Sequence, residues 1–559
     1  MKWWENKTVY QIYPKSFLDT DDDGIGNLRG IIDRLDYLKS LNIDLLWISP
    51  CYASPMADEG YDISDYYQIN PLFGNMEDFD ELLSETKKRD IGILMDLVVN
   101  HCSDEHFWFK EAIKDPDGKY GKYFYIEDFD GVHYPNNLRS VFGGRAWEVL
   151  PGHPDKVYLH TFHKKQPDLN WENQEVRKEI FTMIKWWLDK GLAGFRVDAI
   201  NHIKKDLPFR DYEPDQSDGL VAISTMLDHA RGLDELLYEL RDECFVPYDA
   251  FTVGEVFGIT KEKLEKNIGK NGYFSTIFDF SASHYGRNYE DQTKTLKVLS
   301  GEDYKKAEFQ AMEDAKDIGT LSLVIENHDQ PRAASHFIRK EDINETSKKL
   351  LAGIYFFAKG IPFIYQGQEI GMENLIFESR DELLDIDAKN MYDTIIRNGY
   401  SIKEALDTVS ALSRDNARTP VQWNDKPNAG FSTVTPWQRV NPNYININVE
   451  EQETRKDSLL NFYRSMTALR KDLEYNETFA IGSFEPYLPE QENLIAYYRR
   501  HNNKTLLILA NAQKEERVVE IADGEYQVLL NNYEDAQFNS DGVLLKGYQF
   551  LVCEVKAYD

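Results

Sequence analysis

The sequence predicts an α/β protein: a (β/α)8 TIM barrel with an inserted B domain after strand three and a C-terminal antiparallel β domain. Three observations lead to this prediction. Eight strand-like runs alternate with helix-like segments, the alternation breaks between 102 and 169, and short strand-like runs with polar turns fill the chain after about 480. Eight strand–helix repeats are the number that closes a parallel barrel.

The eight runs are short, apolar and rich in β-branched or aromatic residues, as expected for buried strands. Segments between them, such as LRGIIDRLDYLKSL and VRKEIFTMIKWWLDKG, have the period of amphipathic helices. We therefore assign residues 1–101 and 170–478 to the barrel. The runs are VYQIYP at 9–14, DLLWISP at 44–50, GILMDLVVN at 92–100, GFRVDAI at 194–200, FTVGEV at 251–256, TIFDF at 276–280, LSLVIENHD at 321–329 and PFIYQGQEIG at 362–371.

Two regions depart from the barrel pattern. Residues 102–169 are rich in Tyr, His, Gly and Pro and show little helical period, so we interpret them as a small inserted domain. Residues 479–559 contain the runs LIAYYRR, TLLILANA, RVVEI, YQVLLNN and FLVCEV, separated by turns such as HNNK and ADGE. These short runs predict a terminal antiparallel β-sandwich domain.

Composition limits the partners that the chain can bind. Its 559 residues include 96 acidic and 64 basic side chains, for a formal net charge of −32. Nucleic acid and anionic lipid bind to basic faces, so neither is an expected partner. The first residues, MKWWENKTVYQIYPKSF, read as a folded strand rather than a secretory signal. The most apolar later stretch is interrupted by Lys359, Gly360 and Pro362, which argues against a membrane span.

The cysteines give no sign of a disulfide framework or a metal site. Four are scattered without ligand spacing: Cys51, Cys102, Cys244 and Cys553. Ordinary packing cysteines fit a reducing compartment, so we predict a cytoplasmic protein. We predict no organic cofactor.

Three acids stand where a strand-like run opens into a loop. They are Asp198 in GFRVDAI, Glu255 in TVGEVFG and Asp329 in VIENHDQPR. A buried parallel strand delivers such a side chain to its carboxyl end, where it faces a pocket rather than solvent. The intervals between the acids leave room for one or two strand–helix units, which is barrel spacing. We therefore predict that they form one catalytic group.

Ordered motifs identify a family that the chain resembles. DLVVNH at 96–101, QPDLN at 166–170, GFRVDAI, GEV and ENHD follow one another as in glycoside hydrolase family 13, the α-amylase family. QPDLN and SRDNARTPVQWN at 413–424 are similar to the oligo-1,6-glucosidase and α-glucosidase branch. The resemblance implies a retaining, exo-acting α-glucosidase that releases glucose from the non-reducing end of short α-glucosides.

The resemblance also implies a role for each acid. Asp198 would be the nucleophile, Glu255 the acid/base, and Asp329 a stabiliser of the strained sugar ring and its developing positive charge. Retaining hydrolysis needs an ionised carboxylate and a protonated one roughly 5 Å apart. We therefore expect a raised pKa for Glu255 and an ionised Asp198. Arg196 precedes Asp198 by two residues on the same strand face and should help to keep it charged.

Further residues resemble the family's sugar contacts. His101 and His328 would donate hydrogen bonds to the sugar in the subsite where the bond breaks, although a histidine at a strand end is more often a satisfied core group. Tyr61 is expected either to stack on the sugar or to be a buried structural tyrosine.

Two further residues resemble the family's pair that contacts the terminal glucose and closes the far side of the cleavage subsite. Asp62 in GYDISDYY and Arg414 in SRDNARTP would form it. Arg418 lies nearby and could replace Arg414 as the partner. Such a closed pocket would make cleavage exo.

A loop near the amino terminus has the donor pattern of a cation site. Oxygen donors stand at positions 1, 3, 5, 7 and 9 of the loop, with Gly at position 6: Asp19, Asp21, Asp23, the Ile25 carbonyl and Asn27. Position 12 is Gly30, so the bidentate Glu of an EF-hand is missing. The family branch has a similar loop, usually with Asp in place of Asn27. We predict structural Ca²⁺, or Mg²⁺, against the alternative of an unoccupied acidic turn.

Linkage preference rests on few residues. In this branch Val after the nucleophile accompanies α-1,6 preference and Ala accompanies α-1,4 preference, and this chain has Ala199. Val256 and Phe257 also belong to the leaving-group side but cannot be interpreted from sequence. Sucrose isomerases carry an Arg-Leu-Asp-Arg-Asp run where this chain has FDFSASHYGRNYED, which argues against isomerisation. A sucrose isomerase or a transglycosylase with the same covalent intermediate stays the alternative.

Overall fold

A closed barrel of eight parallel strands forms the centre of the chain. The computed structural model describes residues 1–256, 260–281, 300–540 and 542–556. Each barrel strand is hydrogen-bonded to the strands that precede and follow it in the chain, and the last returns to the first. This confirms the predicted barrel. The strands are β1 Val9–Ile12, β2 Leu45–Ile48, β3 Gly92–Leu97, β4 Gly194–Val197, β5 Phe251–Gly254, β6 Thr276–Asp279, β7 Leu321–Leu323 and β8 Gly360–Tyr365.

The barrel strands form where continuous apolar runs can be buried on both faces. Every residue of β4 and of β5 is buried. Gly194 allows these two strands to lie close together, because a Cβ there would be only 1.8 Å from the Phe251 carbonyl oxygen. β4 pairs in parallel with both β3 and β5, so residues at the ends of all three strands stand side by side.

Helices connect the barrel strands as the periodicity predicts. The predicted helix in VRKEIFTMIKWWLDKG is Gln174–Asp189, which Asn173 caps through a hydrogen bond from Glu175 N. The predicted segment LRGIIDRLDYLKSL is two short helices that meet at Arg34. The α-helices are Leu28–Asp33, Leu35–Ser40, Met76–Lys88, Phe107–Lys114, Gln174–Asp189, Ile223–His229, Leu233–Leu240, Lys261–Ile268, Gly301–Ala315, Ala333–Phe337, Glu345–Phe356, Ile386–Arg397, Ile402–Leu412, Val449–Thr454, Leu459–Lys471 and Asn476–Ile481.

The segment 102–169, predicted as an insertion, folds around a small antiparallel sheet. Its strands lie in the order Ile126–Asp128, His153–Leu159, Trp147–Leu150. Bridges from His101 to Asp168 and from Phe124 to Leu169 bring the two ends of the segment together. It also contains the helix Phe107–Lys114, which was not predicted from the sequence.

The C-terminal region is an antiparallel β domain, as predicted. A five-stranded sheet has the order Ser483–Pro486, Leu494–His501, Lys504–Asn511, Phe550–Lys556, Glu525–Asn531, and a three-stranded sheet has the order Arg517–Val519, Gly542–Leu545, Gln537–Asn539. Both sheets contribute side chains to one buried cluster, which includes Leu507, Leu551, Val519 and Val543. This shared core makes the domain a two-layer structure.

The chain divides into two compact units. One contains Trp47–Lys87 and Gly92–Ile277, and so carries β3, β4, β5 and the insertion. The other contains Met1–Leu46, Lys88–Ile91 and Phe278–Asp559, and so carries β1, β7, β8 and the β domain. In the parts of the chain that the structure describes, no helix has the length and apolarity to cross a membrane. The four cysteines are buried free thiols.

Candidate active site

The ends of β3, β4 and β5 bring charged side chains together. Strand register places Arg196 beside Asp96 on β3 and beside Val253 on β5. Beyond the strand ends the ladder continues, since Asp198 N donates to Leu97 O at 3.0 Å and Glu255 N donates to Val197 O at 2.9 Å. The two predicted catalytic acids therefore emerge from neighbouring strands.

One guanidinium contacts three carboxylates in this cluster, which we call the Arg196 group. Arg196 Nη1 donates to Asp96 Oδ1 and to Asp198 Oδ1, each at 2.6 Å, and Nη2 lies 2.6 Å from Glu255 Oε1. Glu255 Oε2 accepts a hydrogen bond from Ala199 N at 3.0 Å. The side chains of Asp198 and Glu255 are 10% and 11% exposed, whereas Asp96 is fully buried. The two partly exposed acids, Asp198 and Glu255, thus both pair with Arg196.

Burial and charge determine where a proton sits in the Arg196 group. Burial raises the pKa of Asp198 well above its ordinary value, Arg196 opposes this, and the carboxylates of Glu255 and Asp96 raise it further. Arg196 lowers this pKa, as expected, but it divides its charge among three carboxylates, and the ionised nucleophile stays a prediction. Because three carboxylates share one buried guanidinium, a proton taken up at Asp198 belongs to the coupled group.

Aromatic groups enclose the inner side of the Arg196 group. Trp47 Nε1 donates to Asp96 Oδ2 at 3.0 Å and the Tyr61 hydroxyl donates to the same oxygen at 3.2 Å. Both rings lie against the Arg196 guanidinium, with centroid distances of 5.4 Å and 5.9 Å. Tyr61 therefore has the structural contacts of a buried tyrosine, and its stacking on a sugar stays a prediction.

Asp62 is a buried acceptor beside this region. Its carboxylate accepts hydrogen bonds from Ala57 N at 2.9 Å, Asp58 N at 3.0 Å and the Ser54 hydroxyl at 3.0 Å. Burial raises the pKa of Asp62 to about 6 against these hydrogen bonds. Its predicted role on the terminal glucose stays a prediction.

His101 and the QPDLN motif share one buried network. His101 Nε2 lies 3.2 Å from the Tyr61 carbonyl oxygen and 3.1 Å from Gln166 Nε2. Burial lowers the pKa of His101, which favours a neutral imidazole. Asp168 of the same motif forms a fully buried ion pair with Lys205 at 2.6 Å, a partner that the sequence did not reveal.

The other unit contains a second charged cluster, which we call the Asp329 group. His328 Nε2 lies 3.0 Å from Asp329 Oδ2, while Arg414 Nη1 and Arg418 Nη2 donate to Asp329 Oδ1 at 3.0 Å and 2.9 Å. Gln11 Nε2 lies 2.8 Å from His328 Nδ1 and holds the far side of the ring. Asp329 thus has three nitrogen partners, and its side chain remains 32% exposed to a ligand.

The cations of the Asp329 group keep its carboxylate ionised. Burial opposes ionisation of Asp329, but His328, Arg414 and Arg418 outweigh it and hold its pKa well below the usual range. Arg418 is buried, with its Nε donating to the His328 carbonyl at 3.0 Å, while the Arg414 side chain is 16% exposed. Both arginines considered as partners of Asp62 therefore contact Asp329, and the pairing with Asp62 stays a prediction.

Sequence reasoning missed Asp385 in this group. Its Oδ1 accepts from Arg414 Nε at 2.8 Å and lies 3.5 Å from Arg418 Nη1. The available signal was an Asp directly before a helical period, which is an N-cap pattern. That pattern indicated a helix start but not an ion pair with residues about 30 positions away.

The predicted cation loop directs its first carboxylate to its own backbone. Asp19 Oδ1 accepts from the N–H groups of Asp21 and Asp22 at 2.9 Å and 3.0 Å, and Oδ2 accepts from Gly24 N at 2.9 Å and from the Ser432 hydroxyl at 2.6 Å. These hydrogen bonds are those of an Asx turn.

The last donor of that loop also has another role. Asn27 Oδ1 accepts from Gly30 N at 2.8 Å and caps the helix Leu28–Asp33, and Asp23 Oδ1 accepts from Ile25 N at 2.8 Å. Across residues 1–256, 260–281, 300–540 and 542–556, no group of three His, Cys, Asp or Glu side chains is arranged to hold a metal ion. The side chains are therefore not arranged as a formed cation site, and the cation stays a prediction.

Two sequence predictions concern residues outside the described ranges. Phe257 lies there, and so does most of the FDFSASHYGRNYED segment used to argue against isomerisation. Val256 is described and is buried.

Comparison with known proteins identifies the family. The alpha amylase catalytic domain model matches residues 11–477, and the alpha-amylase SusG C-terminal domain model matches residues 494–552. Oligo-1,6-glucosidase of Bacillus cereus is 40% identical over 563 residues, covering 99% of this chain and 100% of that protein. Glucan 1,6-alpha-glucosidase of Streptococcus pneumoniae is 40% identical over 540 residues, covering 95% of each chain.

Solved structures share the whole architecture. Trehalose-6-phosphate hydrolase of Bacillus licheniformis has a TM-score of 0.92 at 37% identity, with 100% of each chain covered. Isomaltulose synthase of Klebsiella sp. LX3 has a TM-score of 0.92 at 36% identity, also with 100% of each chain covered. With its closed barrel, its catalytic-domain match and relatives of full length, the chain belongs to the α-amylase family, glycoside hydrolase family 13, and is a glycoside hydrolase.

Proposed function

We propose that this glycoside hydrolase is a retaining, exo-acting α-glucosidase that releases glucose from the non-reducing end of short α-glucosides. The observation that supports this most is the Arg196 group. It holds Asp198 and Glu255, from neighbouring strands, on the two terminal nitrogens of one guanidinium. Such closely spaced acids suit a covalent intermediate, because an inverting enzyme needs room for a water molecule between them.

The first step uses the two acids in opposite roles. Among the described residues, the hydrogen bond of Asp198 uses Oδ1, so Oδ2 is the oxygen that attacks the anomeric carbon. The glycosidic bond breaks, and the proton passes from Glu255 to the leaving oxygen. The products are a glucosyl ester on Asp198 and a shortened sugar.

The second step reverses these roles. Glu255 removes a proton from water, the water oxygen attacks the anomeric carbon, and the ester bond to Asp198 breaks. Glucose leaves with its original anomeric configuration, and the proton is again on Glu255. The ionised Asp329, held by three nitrogen partners, would stabilise the positive charge that develops on the sugar ring in both steps.

We infer that α-1,4 linkages are preferred, because residue 199 is Ala. Ala199 follows Asp198 and is in the left-handed conformation, with φ 41° and ψ 35°. Its N–H donates a hydrogen bond to Glu255 Oε2. A β-branched residue is disfavoured in that conformation. A second candidate is α-1,6 preference, which the names of the relatives from Bacillus cereus and Streptococcus pneumoniae favour.

A transfer reaction is the alternative outcome of the same intermediate. If a sugar hydroxyl instead of water attacks the glucosyl ester, the product is a new disaccharide. The likeness to isomaltulose synthase of Klebsiella sp. LX3 favours testing this outcome.

The deciding experiment measures kcat/KM on maltose, isomaltose, sucrose and trehalose side by side, with products identified by chromatography. We expect hydrolysis of maltose to be fastest, with glucose as the sole product. Faster hydrolysis of isomaltose would favour the α-1,6 candidate, and new disaccharides from sucrose would favour the isomerase or transglycosylase. No activity on any α-glucoside would contradict the proposed function.

Structural Ca²⁺ in the loop from Asp19 to Asn27 also remains a proposal. Its support is the donor set of carboxylate, carbonyl and amide oxygens, which suits a hard cation. We expect millimolar CaCl₂ to raise the melting temperature of the EDTA-treated protein by a few degrees, because a ligand of the native state stabilises it. Equal melting temperatures with CaCl₂, MgCl₂ and EDTA would discard the cation.

We further propose that the protein works in a cytoplasmic, reducing compartment on small sugars, without a nucleic acid or membrane partner. Its support is the four buried free thiols and the net charge of −32. Fractionation of the source cells would test the compartment, and activity confined to the extracellular fraction would contradict it.

A further inference from the structure

One carboxylate in the Asp329 group has two separate sets of partners. Asp385 is buried, and its Oδ2 accepts hydrogen bonds from Asp387 N at 3.0 Å and Ala388 N at 3.1 Å, which caps the helix Ile386–Arg397. Its Oδ1 faces Arg414, with Nε at 2.8 Å and Nη2 at 2.7 Å. The same side chain therefore caps the N-terminus of a helix and forms an ion pair with Arg414.

Both arginines join Asp385 to Asp329. Arg414 reaches Asp329 Oδ1 through Nη1 at 3.0 Å while its Nε and Nη2 stay on Asp385. Arg418 reaches Asp329 Oδ1 at 2.9 Å and lies 3.5 Å from Asp385. Asp385 and Asp329 thus both contact the two guanidiniums, and Arg414 reaches the two carboxylates through different nitrogens of one planar, rigid group.

We propose that Asp385 is a positioning residue: its negative charge fixes Arg414 and Arg418 so that Asp329 and the guanidinium of Arg414 are correctly placed for the terminal glucose. This inference rests on the proposed α-glucosidase function. Asp385 does not touch the reacting atoms and acts through the two arginines.

Asp385 positions the arginines through its negative charge and not through the helix cap. Arg414 is a long side chain with 16% of its surface exposed, so without an anchor it loses its fixed direction and gains rotamer freedom. Loss of the Asp385 charge would also remove one of the carboxylates that balance the two guanidiniums, which adds positive charge beside the group that stabilises a positive transition state. Both effects weaken substrate binding and slow turnover.

The substitution Asp385→Asn separates the two roles. Asn is as good an N-cap as Asp and has the same shape, so the helix Ile386–Arg397 keeps its cap. The amide cannot form an ion pair with Arg414. A role confined to capping therefore predicts unchanged kinetics, and the positioning role predicts a loss.

Ser401→Ala is the matched control. Ser401 caps the next helix, Ile402–Leu412, by accepting from Glu404 N, and it contacts neither arginine in the described hydrogen bonds. Its loss should lower the melting temperature slightly and leave kcat/KM within about twofold of the wild type.

We expect D385N to lower kcat/KM on maltose or isomaltose at least tenfold, mostly through KM, with a melting temperature within about 2 °C of the wild type. Binding of 1-deoxynojirimycin, a cationic glucose analogue, should weaken by a similar factor in calorimetry. A double-mutant cycle with Arg414→Gln should be non-additive, because the two changes remove one ion pair.

Kinetics of D385N within about twofold of the wild type would overturn the proposal and leave Asp385 as a cap only. Should D385N fail to fold, Asp385→Ser, which also keeps a cap oxygen without the charge, gives the same decision. A wild-type protein without activity on any α-glucoside would contradict the proposed function, whereas an active wild type with an unaffected D385N contradicts only the positioning role.

Discussion

The Arg196 group and the Asp329 group differ in how many cationic side chains each carboxylate contacts. In the first, one guanidinium contacts three carboxylates: Asp96, Asp198 and Glu255. In the second, Asp329 contacts an imidazole and two guanidiniums, and Asp385 contacts the same two guanidiniums. Burial acts on both and favours the neutral form of an acid, so the number of cations decides the result.

The two groups therefore differ in how readily their aspartate takes up a proton. The pKa of Asp198 is raised well above its ordinary value, since Arg196 is shared, and the pKa of Asp329 is held well below it. A group that retains a proton can exchange it during a reaction, whereas a group that stays ionised can only supply charge. The two groups are thus suited to the two kinds of role that the family resemblance implied.

Neutralising one acid in each group tests this division and should have the largest effect. Asp198→Asn removes the atom that forms the covalent bond, so we expect kcat on maltose or isomaltose to fall by about 10⁴-fold or more. Asp329→Asn removes a charge only, and we expect a fall of about 10²–10³-fold. Steady-state kinetics at saturating substrate measure both.

The control is Asp130→Asn, an exposed aspartate of the inserted segment, which should leave kcat unchanged. Circular dichroism and melting temperature show whether each variant is folded. Retained activity in Asp198→Asn would refute the nucleophile assignment, and equal losses in Asp198→Asn and Asp329→Asn would refute the division between the groups.

The pH dependence of kcat/KM should sharpen the comparison. Asp198 can act as a nucleophile only when the pH exceeds its pKa, which is raised. The fall of kcat/KM on the acid side of the profile, the acid limb, should therefore lie above the ordinary aspartate range near pH 4. Asp96 raises this pKa, so Asp96→Asn should move the limb to lower pH. Asp329 stays ionised and should add no limb in the measurable range.

Asp62 needs a separate control, because its pKa of about 6 falls in the same window. The profile is measured in an Asp62→Asn background with and without Asp96→Asn, and a displacement that persists there comes from the Arg196 group. An acid limb at or below pH 4, or one that Asp96→Asn moves upward, would contradict the shared-cation explanation.

The smallest expected effect is on the preference between glycosidic linkages, and it concerns Ala199 beside the Arg196 group. Ala199→Val adds bulk directly after the nucleophile, and we expect the ratio of kcat/KM for isomaltose to maltose to rise about tenfold. The left-handed backbone at residue 199 disfavours Val, so a small fall in melting temperature should accompany it. Ala522→Val, at an exposed position of the β domain, is the matched control. An unchanged ratio would show that Ala199 does not decide linkage.

Much of the fold could be predicted because its signal is local. Each barrel strand, such as Gly194–Val197, is a short buried run that an amphipathic helix follows or precedes, and hydrophobic period reports this directly. The helix Phe107–Lys114 escaped detection because it is only eight residues long and lies in a segment rich in aromatic residues. A helix of this length is stabilised mainly by packing against its surroundings, which a short sequence window does not report.

The site could be predicted only where its residues are near in sequence. Arg196 and Asp198 are two positions apart on one strand, and their contact was expected. The contact of Arg196 with Asp96, 100 positions away, and that of Arg414 with Asp385 were not. Hydrophobic periodicity does not report which distant side chains share a charge, so the carboxylate neighbours that raise the pKa of Asp198 could not be predicted.

The sequence by itself determined the barrel, the terminal β domain, the family and the candidate acids, because these depend on apolar periodicity and on motifs within a few residues. The tertiary structure alone decided how charge is divided among those acids. A pKa depends on burial and on every charge within a few ångströms, and barrel closure brings such charges together from strands far apart in the chain. Hence the same residue type, aspartate, has a raised pKa at position 198 and a lowered pKa at position 329.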